Sequence, residues 1–218
     1  MLHLDIITIF PEYFQSVLTT SILGKALAEK KATVALRDLR PYGSGKHQLT
    51  DDRPFGGGAG MVMLVEPIDR ALTDLNYRQG TPGEKILLTS AKGGLFNQAS
   101  AKELATLQRL CLICGHYKGV DERVARYLAD GEIRIGDYVL TGGEPAAAVI
   151  IDALVRLQPE VLGNAASLQG ESHETPGVLA YPQYSRPADY KGWKVPEILL
   201  GGDHAAIEAY RQSQRQKV

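Results

Sequence analysis

Apolar residues along this chain fall by turns into unbroken runs and into helical stripes. LDIITIF near the amino terminus is continuous and β-branched, which predicts a strand. In the adjoining PEYFQSVLTTSILGKALAEK, Phe14, Val17, Leu18, Ile22, Leu23, Ala26 and Leu27 recur at the spacing of one helix face. ATVALRDL alternates and predicts a second strand. A polar, glycine-rich stretch over 41–60 comes next, longer than most connections in compact domains, and such a stretch is either functional or disordered. Pro67 suits the first turn of a helix over 68–75, EKILLTS reads as a buried strand, and Asn97 is placed to cap a helix over QASAKELATLQRL. LCLICG is the next strand, VDERVARYLAD is amphipathic, EIRIGDYVL is extended, and EPAAAVIIDALVRLQ predicts a helix with Pro145 in its first turn.

Alternation of strands and helices over about 150 residues is the pattern of an α/β domain with a mainly parallel sheet. Past Pro159 the texture turns rich in Gly, Pro and Ser, with one short closing helix from about Ala205. The expected division is therefore a domain over 1–160, a linker over 161–176 and a small appended piece over 177–218. Its aromatic residues Tyr181, Tyr184, Tyr190 and Trp193 are expected to pack on one another or on a partner.

Composition sharpens this only a little. With 218 residues, 44% of them hydrophobic, the chain can bury a substantial core. No run reaches the length of a membrane span and MLHLDIITIFPEYF lacks the basic start of a signal peptide, so a cytoplasmic location is expected. Cys111 and Cys114 stand three apart in a strand and point to opposite faces, which predicts two buried thiols rather than a metal pair or a disulfide. The net charge of −1 hides two basic stretches, residues 25–53 and the tail AYRQSQRQKV, which permit but do not demand an acidic partner.

Several enzyme classes are disfavoured by the residues that leave the first strand. TIFPEYF carries no dinucleotide fingerprint, and GSGKHQ lacks both the spacing and the hydroxyl residue of a Walker loop. Neither a serine elbow nor a zinc-binding His-Glu-x-x-His helix occurs. Glycines instead come after three later strands, in TSAKGG (89–94), CGHYKG (114–119) and IGDYVLTGG (135–143). Loops leaving the carboxyl ends of neighbouring parallel strands converge on one crevice. Three of them offering bare N–H and C=O groups suit a neutral adenine and ribose better than a triphosphate. A fourth glycine run, DDRPFGGGAGM over 51–61, places Gly56, Gly57, Gly58 and Gly60 where they bury nothing, so bare backbone must be needed there.

DDRPFGGGAGM, GHYKGVDERV, IGDYVLTGGE and LGNAASLQGESH occur in the order and spacing of the bacterial tRNA (guanine-N1-)-methyltransferases, and the chain resembles that family over nearly its whole length. The resemblance implies the SPOUT class, with an S-adenosylmethionine pocket in a carboxyl-terminal trefoil knot of the main domain, although connections are ordinarily un-knotted. It implies cofactor contacts from Leu88, Thr89 and Ser90, from Gly115 and Tyr117, and from Ile135, Gly136, Asp137, Tyr138, Val139 and Leu140, with Gly142 and Gly143 behind them. Asp51, Arg53, Gly60 and Lys118 are implied on the substrate side, where a flat base approaches the glycine loop. The partners implied are tRNA and a second copy of the chain. Mg2+ is implied as a further requirement, although no carboxylate cluster in the sequence marks a cage for it.

The implied product is guanosine methylated at N1, at position 37 beside the anticodon. Guanine N1 carries a proton at neutral pH, so a base must remove it as the methyl arrives, and the charge that develops spreads onto O6. By the resemblance the base is Glu171 and the partner of O6 is Arg156. Glu171 stands where the family usually has aspartate and Lys118 where it usually has glutamate, while Ala59 replaces a frequent proline. These departures keep two other readings open, a SPOUT RNA methyltransferase of altered position or base preference and a catalytically weak RNA- or cofactor-binding homologue. The resemblance also implies an abbreviated carboxyl-terminal tRNA-binding domain over 177–218, with weaker tRNA affinity than longer relatives.

Overall fold

The computed structural model describes residues 1–164 and 169–217, so residues 165–168 of the expected linker and Val218 lie outside the described residues. Two compact units divide at Gly163, Met1–Gly163 and Asn164–Val218.

In the first unit, strand β1 (His3–Thr8) is succeeded by a 3-10 turn over Pro11–Phe14, helices α1 (Gln15–Thr19) and α2 (Ser21–Ala28), and strand β2 (Thr33–Asp38). The sequence stripe predicts one continuous helix here, and the structure breaks it at Thr20, which is extended at φ −110° and ψ 149°. Thr19 and Thr20 donate their hydroxyls to Gln15 C=O and Ser16 C=O, at 2.8 and 2.6 Å, the back-bonding by which such residues bend and end helices. Strands β3 (Asp51–Asp52) and β4 (Val62–Met63) then pair antiparallel, so the glycine run forms the tip between them. Gly56, Gly57, Gly58 and Gly60 all have positive φ, between 79° and 113°, and a Cβ at Gly56 or Gly57 would touch nothing. Handedness rather than crowding selects glycine in this loop.

Helix α3 (Val65–Asp74), with Pro67 in its first turn, leads to strand β5 (Glu84–Leu95). Asn97 caps α4 (Gln98–Leu104) by accepting from Ala99 N–H and Ser100 N–H, with Ser100 reciprocating. That helix ends well before the predicted Leu110, because Gln108 is drawn into bonds with Gly83 and His3 that feed strand β6 (Arg109–Cys114). Helix α5 (Glu122–Tyr127), strand β7 (Gly131–Arg134) and helix α6 (Glu144–Val155) complete the unit. EIRIGDYVL is thus a strand only as far as Arg134, and beyond it the backbone bends away from the sheet.

The five main strands form one parallel sheet in the order β2-β1-β6-β5-β7. Its central strands are apolar on both sides because helices cover both faces. Leu4, Ile6, Leu110, Leu112 and Cys114 pack with Ala147, Ile150, Ile151 and Leu154 of α6. Ile7, Ile86, Leu88, Cys111 and Ile113 pack on the other face with Ile68, Ala71 and Leu72 of α3 and Val124 of α5. Each fully buried Leu or Ile contributes about 1.5–3 kcal/mol. Cys111 and Cys114 are free thiols in opposite clusters, as their spacing predicts.

The second unit holds a two-stranded hairpin, β8 (Asp189–Tyr190) and β9 (Trp193–Lys194), a 3-10 turn over Glu197–Leu199 and helix α7 (His204–Ser213), capped by Asp203. Among the described residues no helix is long and apolar enough to cross a membrane.

Candidate active site

The carboxyl ends of β5, β6 and β7 surround a cavity of about 380 Å³, within the roughly 300–1,000 Å³ of small-molecule sites. Thr89 ties two of these strand ends together, since its hydroxyl donates to Ile113 C=O and accepts from Gly115 N–H, both at 3.1 Å. After β7 the chain returns across the same edge, where Gly143 N–H donates to Gly115 C=O at 2.7 Å and His116 and Gly142 form a bridge. Only glycine fits at that crossing. A Cβ on Gly143 would lie 1.9 Å from Thr89 Oγ1, and one on Gly142 would lie 2.4 Å from Glu144 Oε2 and 2.5 Å from His116 Nδ1.

TSAKGG, read in the sequence as a loop after its strand, lies inside β5. Pairing with β7 shifts register between Thr89 and Gly94, and the residues between them bulge toward the cavity. Gly93 is needed for close approach, because a Cβ there would sit 2.3 Å from Ile133 N. Past β7, Arg134 Nε donates to Asp137 Oδ1 at 2.8 Å and its Nη1 donates to Gly93 C=O, which closes the base of the 135–140 loop. Tyr138 folds its ring over Gly136, and Val139 and Leu140 remain exposed.

Leu88, Thr89, Ser90, Gly115, Tyr117, Ile135, Gly136, Tyr138, Val139, Leu140, Gly142 and Gly143 all line this cavity, as does Lys118. Asp137 does not line it, being turned outward onto Arg134. Lys118 N–H donates to Met61 C=O at 3.0 Å, and a Cβ on Gly60 would lie 3.5 Å from the Lys118 side chain, so the glycine loop rests against the cavity rim. Asp51 adjoins Tyr117, whose phenol pKa is raised first by burial and then by the Asp51 carboxylate. Arg53 is exposed on the same loop. Arg156 caps the far end of α6, and Glu171 lies in the second unit, where its C=O accepts from Glu174 N–H at 3.3 Å.

Apart from Lys118, the charged lining residues were not singled out in the sequence. Lys92 reaches Glu122 at 2.6 Å and Glu132 at 3.5 Å, and the hydrogen bond from Lys92 holds the Glu122 carboxyl below its ordinary pKa. Glu132 and Arg134 alternate with buried Ile133 on β7, and that alternation was the available signal. Two buried polar atoms of the lining residues, His116 Nδ1 and Glu132 Oε1, have no hydrogen-bond partner within the described residues. Unpartnered polar atoms beside a glycine-walled cavity whose lining is part apolar and part charged fit a ligand that is part hydrophobic and part hydrogen-bonding, such as an adenosine carrying a methionine. Behind the wall, Glu144 is buried at 3% exposure, accepts from Thr8 Oγ1 at 2.7 Å and lies 3.8 Å from His116 Nδ1.

Comparison with known proteins gives a concordant result. The family model described as "tRNA (Guanine-1)-methyltransferase TrmD" matches residues 2–218. A tRNA (guanine-N(1)-)-methyltransferase of Halalkalibacterium halodurans is 48% identical over 217 residues, covering 99% of this chain and 87% of the relative. That of Geobacillus kaustophilus is 48% identical over 98% of this chain and 86% of its own length. That of Chloroflexus aggregans is 49% identical over 98% of this chain and 83% of its own length.

Proposed function

Because this chain belongs to the tRNA (guanine-1)-methyltransferase family, we propose that it methylates N1 of guanosine 37 in tRNA, with S-adenosylmethionine as methyl donor. The observation that carries the cofactor assignment is the Gly143–Gly115 crossing, which leaves main-chain groups and small residues around a cavity of adenosine size. The return of the chain across the ends of β5 and β6 supports a reading of this region as the SPOUT trefoil knot.

S-adenosylmethionine supplies an electrophilic methyl group. In the proposed reaction the Glu171 carboxylate of one protomer reaches the cofactor cavity of its partner and takes the N1 proton of guanine while the N1–methyl bond forms and the methyl–sulfur bond breaks. The Arg156 guanidinium faces O6, where charge accumulates, and stabilises the transition state more than the ground state. Asp51, Arg53, Gly60 and Lys118 offer the surface on which the target nucleotide lies.

A homodimer is part of the proposal. Arg156 and Gly143 cap opposite ends of α6, and a 12-residue helix rises about 18 Å. A guanidinium that far from the Gly143 edge serves more readily in a partner's cavity, and the exposed Tyr138, Val139 and Leu140 give that partner an apolar surface. The proposed organisation keeps 1–160 as the cofactor domain, 161–176 as the linker and 177–218 as the tRNA-binding piece. No step is assigned to Mg2+, since among the described residues no group of three or more His, Cys, Asp or Glu side chains comes together.

Incubation with unmodified tRNA transcripts bearing guanosine or adenosine at position 37, with mass spectrometry of the resulting nucleosides, tests the reading. 1-Methylguanosine from the first transcript alone is expected. Methylation at another site would favour the altered-preference reading that Lys118 motivates, and no transfer at all would overturn both.

A further inference from the structure

The second unit contains a cavity of its own, about 230 Å³, walled by Tyr181, Tyr184, Arg186, Tyr210, Arg211 and Gln214. That volume lies below the roughly 300–1,000 Å³ of drug-sized sites, so it suits a single ring system rather than a whole cofactor. Among the described residues no aspartate or glutamate lines it, whereas two arginines do. Arg211 stacks its guanidinium 5.1 Å from the Tyr181 ring centre and pairs with Glu208 at 3.9 Å, an acid outside the cavity wall. Planar rings beside planar cations, with no acid in the wall, select a ligand that is flat, aromatic and anionic.

The rim of the cavity continues the theme. Ala188 and Val195 belong to its wall, and a 2.9 Å hydrogen bond from Val195 N–H to Ala188 C=O closes the base of the β8–β9 hairpin. Lys191 and Gly192 both have positive φ, 55° and 87°, the geometry of a tight type I′ turn, and Asp189 accepts from Gly192 N–H at 2.8 Å. This turn sets Tyr190 directly across from Trp193, with ring centres 5.8 Å apart and the Lys191 ammonium 5.3 Å from the Tyr190 ring. Trp193 is nonetheless 73% exposed and Tyr184 49% exposed. Rings held at the surface by a rigid turn, interleaved with lysines, form a stacking platform for unpaired bases.

We propose that this cavity and hairpin together hold an unstacked nucleotide of the substrate RNA, distinct from the guanosine that is methylated. The base enters between the tyrosines, its phosphate meets Arg186 and Arg211, and an adjoining base lies on Trp193. The inference rests on the RNA-methyltransferase reading and adds a specific base-holding site to it.

Trp193 is the chain's single tryptophan, so its emission reports on the platform directly. With S-adenosylhomocysteine saturating the first unit, titration of the full chain with unmodified tRNA transcript is expected to quench that emission. Tyr184→Ala is expected to raise the KM for tRNA roughly tenfold, with kcat at saturating tRNA unchanged and Tyr184→Phe restoring the wild-type value. An unchanged KM in Tyr184→Ala would overturn the proposal. Should that variant fail to fold, the wild-type titration decides alone, and binding of RNA without quenching would overturn it. Emission that responds to protein concentration but not to RNA would place a second copy of the chain on this face, which also overturns it. Methyl transfer by the wild type is the control that separates this failure from failure of the methyltransferase reading.

Discussion

Thr8, at the end of the first strand, donates its hydroxyl to Glu144, 136 residues later at the start of α6, in a buried 2.7 Å hydrogen bond. Through it the edge where the chain returns across β5 and β6 and the centre of the sheet are held in one register. Thr8→Val keeps the shape but removes both the donor to the Glu144 carboxylate and the acceptor of Phe10 N–H, and is expected to cost about 1–3 kcal/mol. Urea unfolding measures this, and an unchanged midpoint would mean that both the carboxylate and Phe10 N–H are satisfied elsewhere.

Gly143 has an ordinary φ of −82°, so its identity is a matter of volume alone. Gly143→Ala drives a methyl group into Thr89 Oγ1 and Gly115 N, and is expected to weaken S-adenosylhomocysteine binding at least roughly tenfold while destabilising the fold by about 1–3 kcal/mol. Gly163→Ala, where no atom lies within 4 Å of the added carbon, serves as the neutral comparison in calorimetry. Equal affinity in both variants would remove the crossing from the cofactor site.

Glu171→Gln retains size and loses the carboxylate proposed as the base. Its single-turnover rate is expected to fall roughly a hundredfold or more, with affinity for S-adenosylhomocysteine unchanged. Arg156→Ala is expected to lower the same rate roughly a hundredfold. A full-rate Glu171→Gln enzyme would transfer the role of base to another group.

Burial raises the thiols of Cys111 and Cys114 above the ordinary value of 9.0. The folded chain therefore keeps two protons that the unfolded chain releases. Their stabilising contribution is fully present below pH 9 and is lost as pH rises from there toward the folded-state values. Between pH 9 and 10 the unfolding free energy is expected to decline by about 1 kcal/mol for each thiol, the slope approaching about 1.4 kcal/mol per pH unit only above that range. Cys111→Ala should remove one thiol's share of that decline in denaturant titrations, leaving the shares of Cys114 and of the buried Tyr77 phenol, and a decline that stays the same would assign it to other groups.

Much of this architecture can be read from residue patterns, and the exceptions have physical causes. Continuous apolar runs marked β1, β5 and β6 because strands buried on both faces need no alternation, and Asn97 marked the start of α4 because a side-chain cap is local chemistry. The break at Thr20 escaped the apolar stripe, since it depends on hydroxyls bonding back to carbonyls. The bulge in β5 and the bending after Arg134 are set by the pairing of residues far apart in sequence, which periodicity does not register. Glycines proved informative for two different reasons. Those at 56–58 and 60 supply a left-handed backbone, while Gly93, Gly142 and Gly143 supply missing volume, and composition alone does not distinguish the two. The charged residues Lys92, Glu132 and Arg134 reach the cavity only through the sheet order, so their part in it became visible with the fold.

That sheet order also sets a timetable for the nascent chain. β1 receives β2 on one edge almost at once, but its other edge belongs to β6, about 70 residues further along. At roughly 5–20 residues per second, an emerging polypeptide carries that open, apolar edge for roughly 4–14 s before its natural neighbour leaves the ribosome. The earliest-made strand is thus the one most in need of shelter during synthesis, and helper proteins that shield hydrophobic segments have their greatest opportunity in that interval.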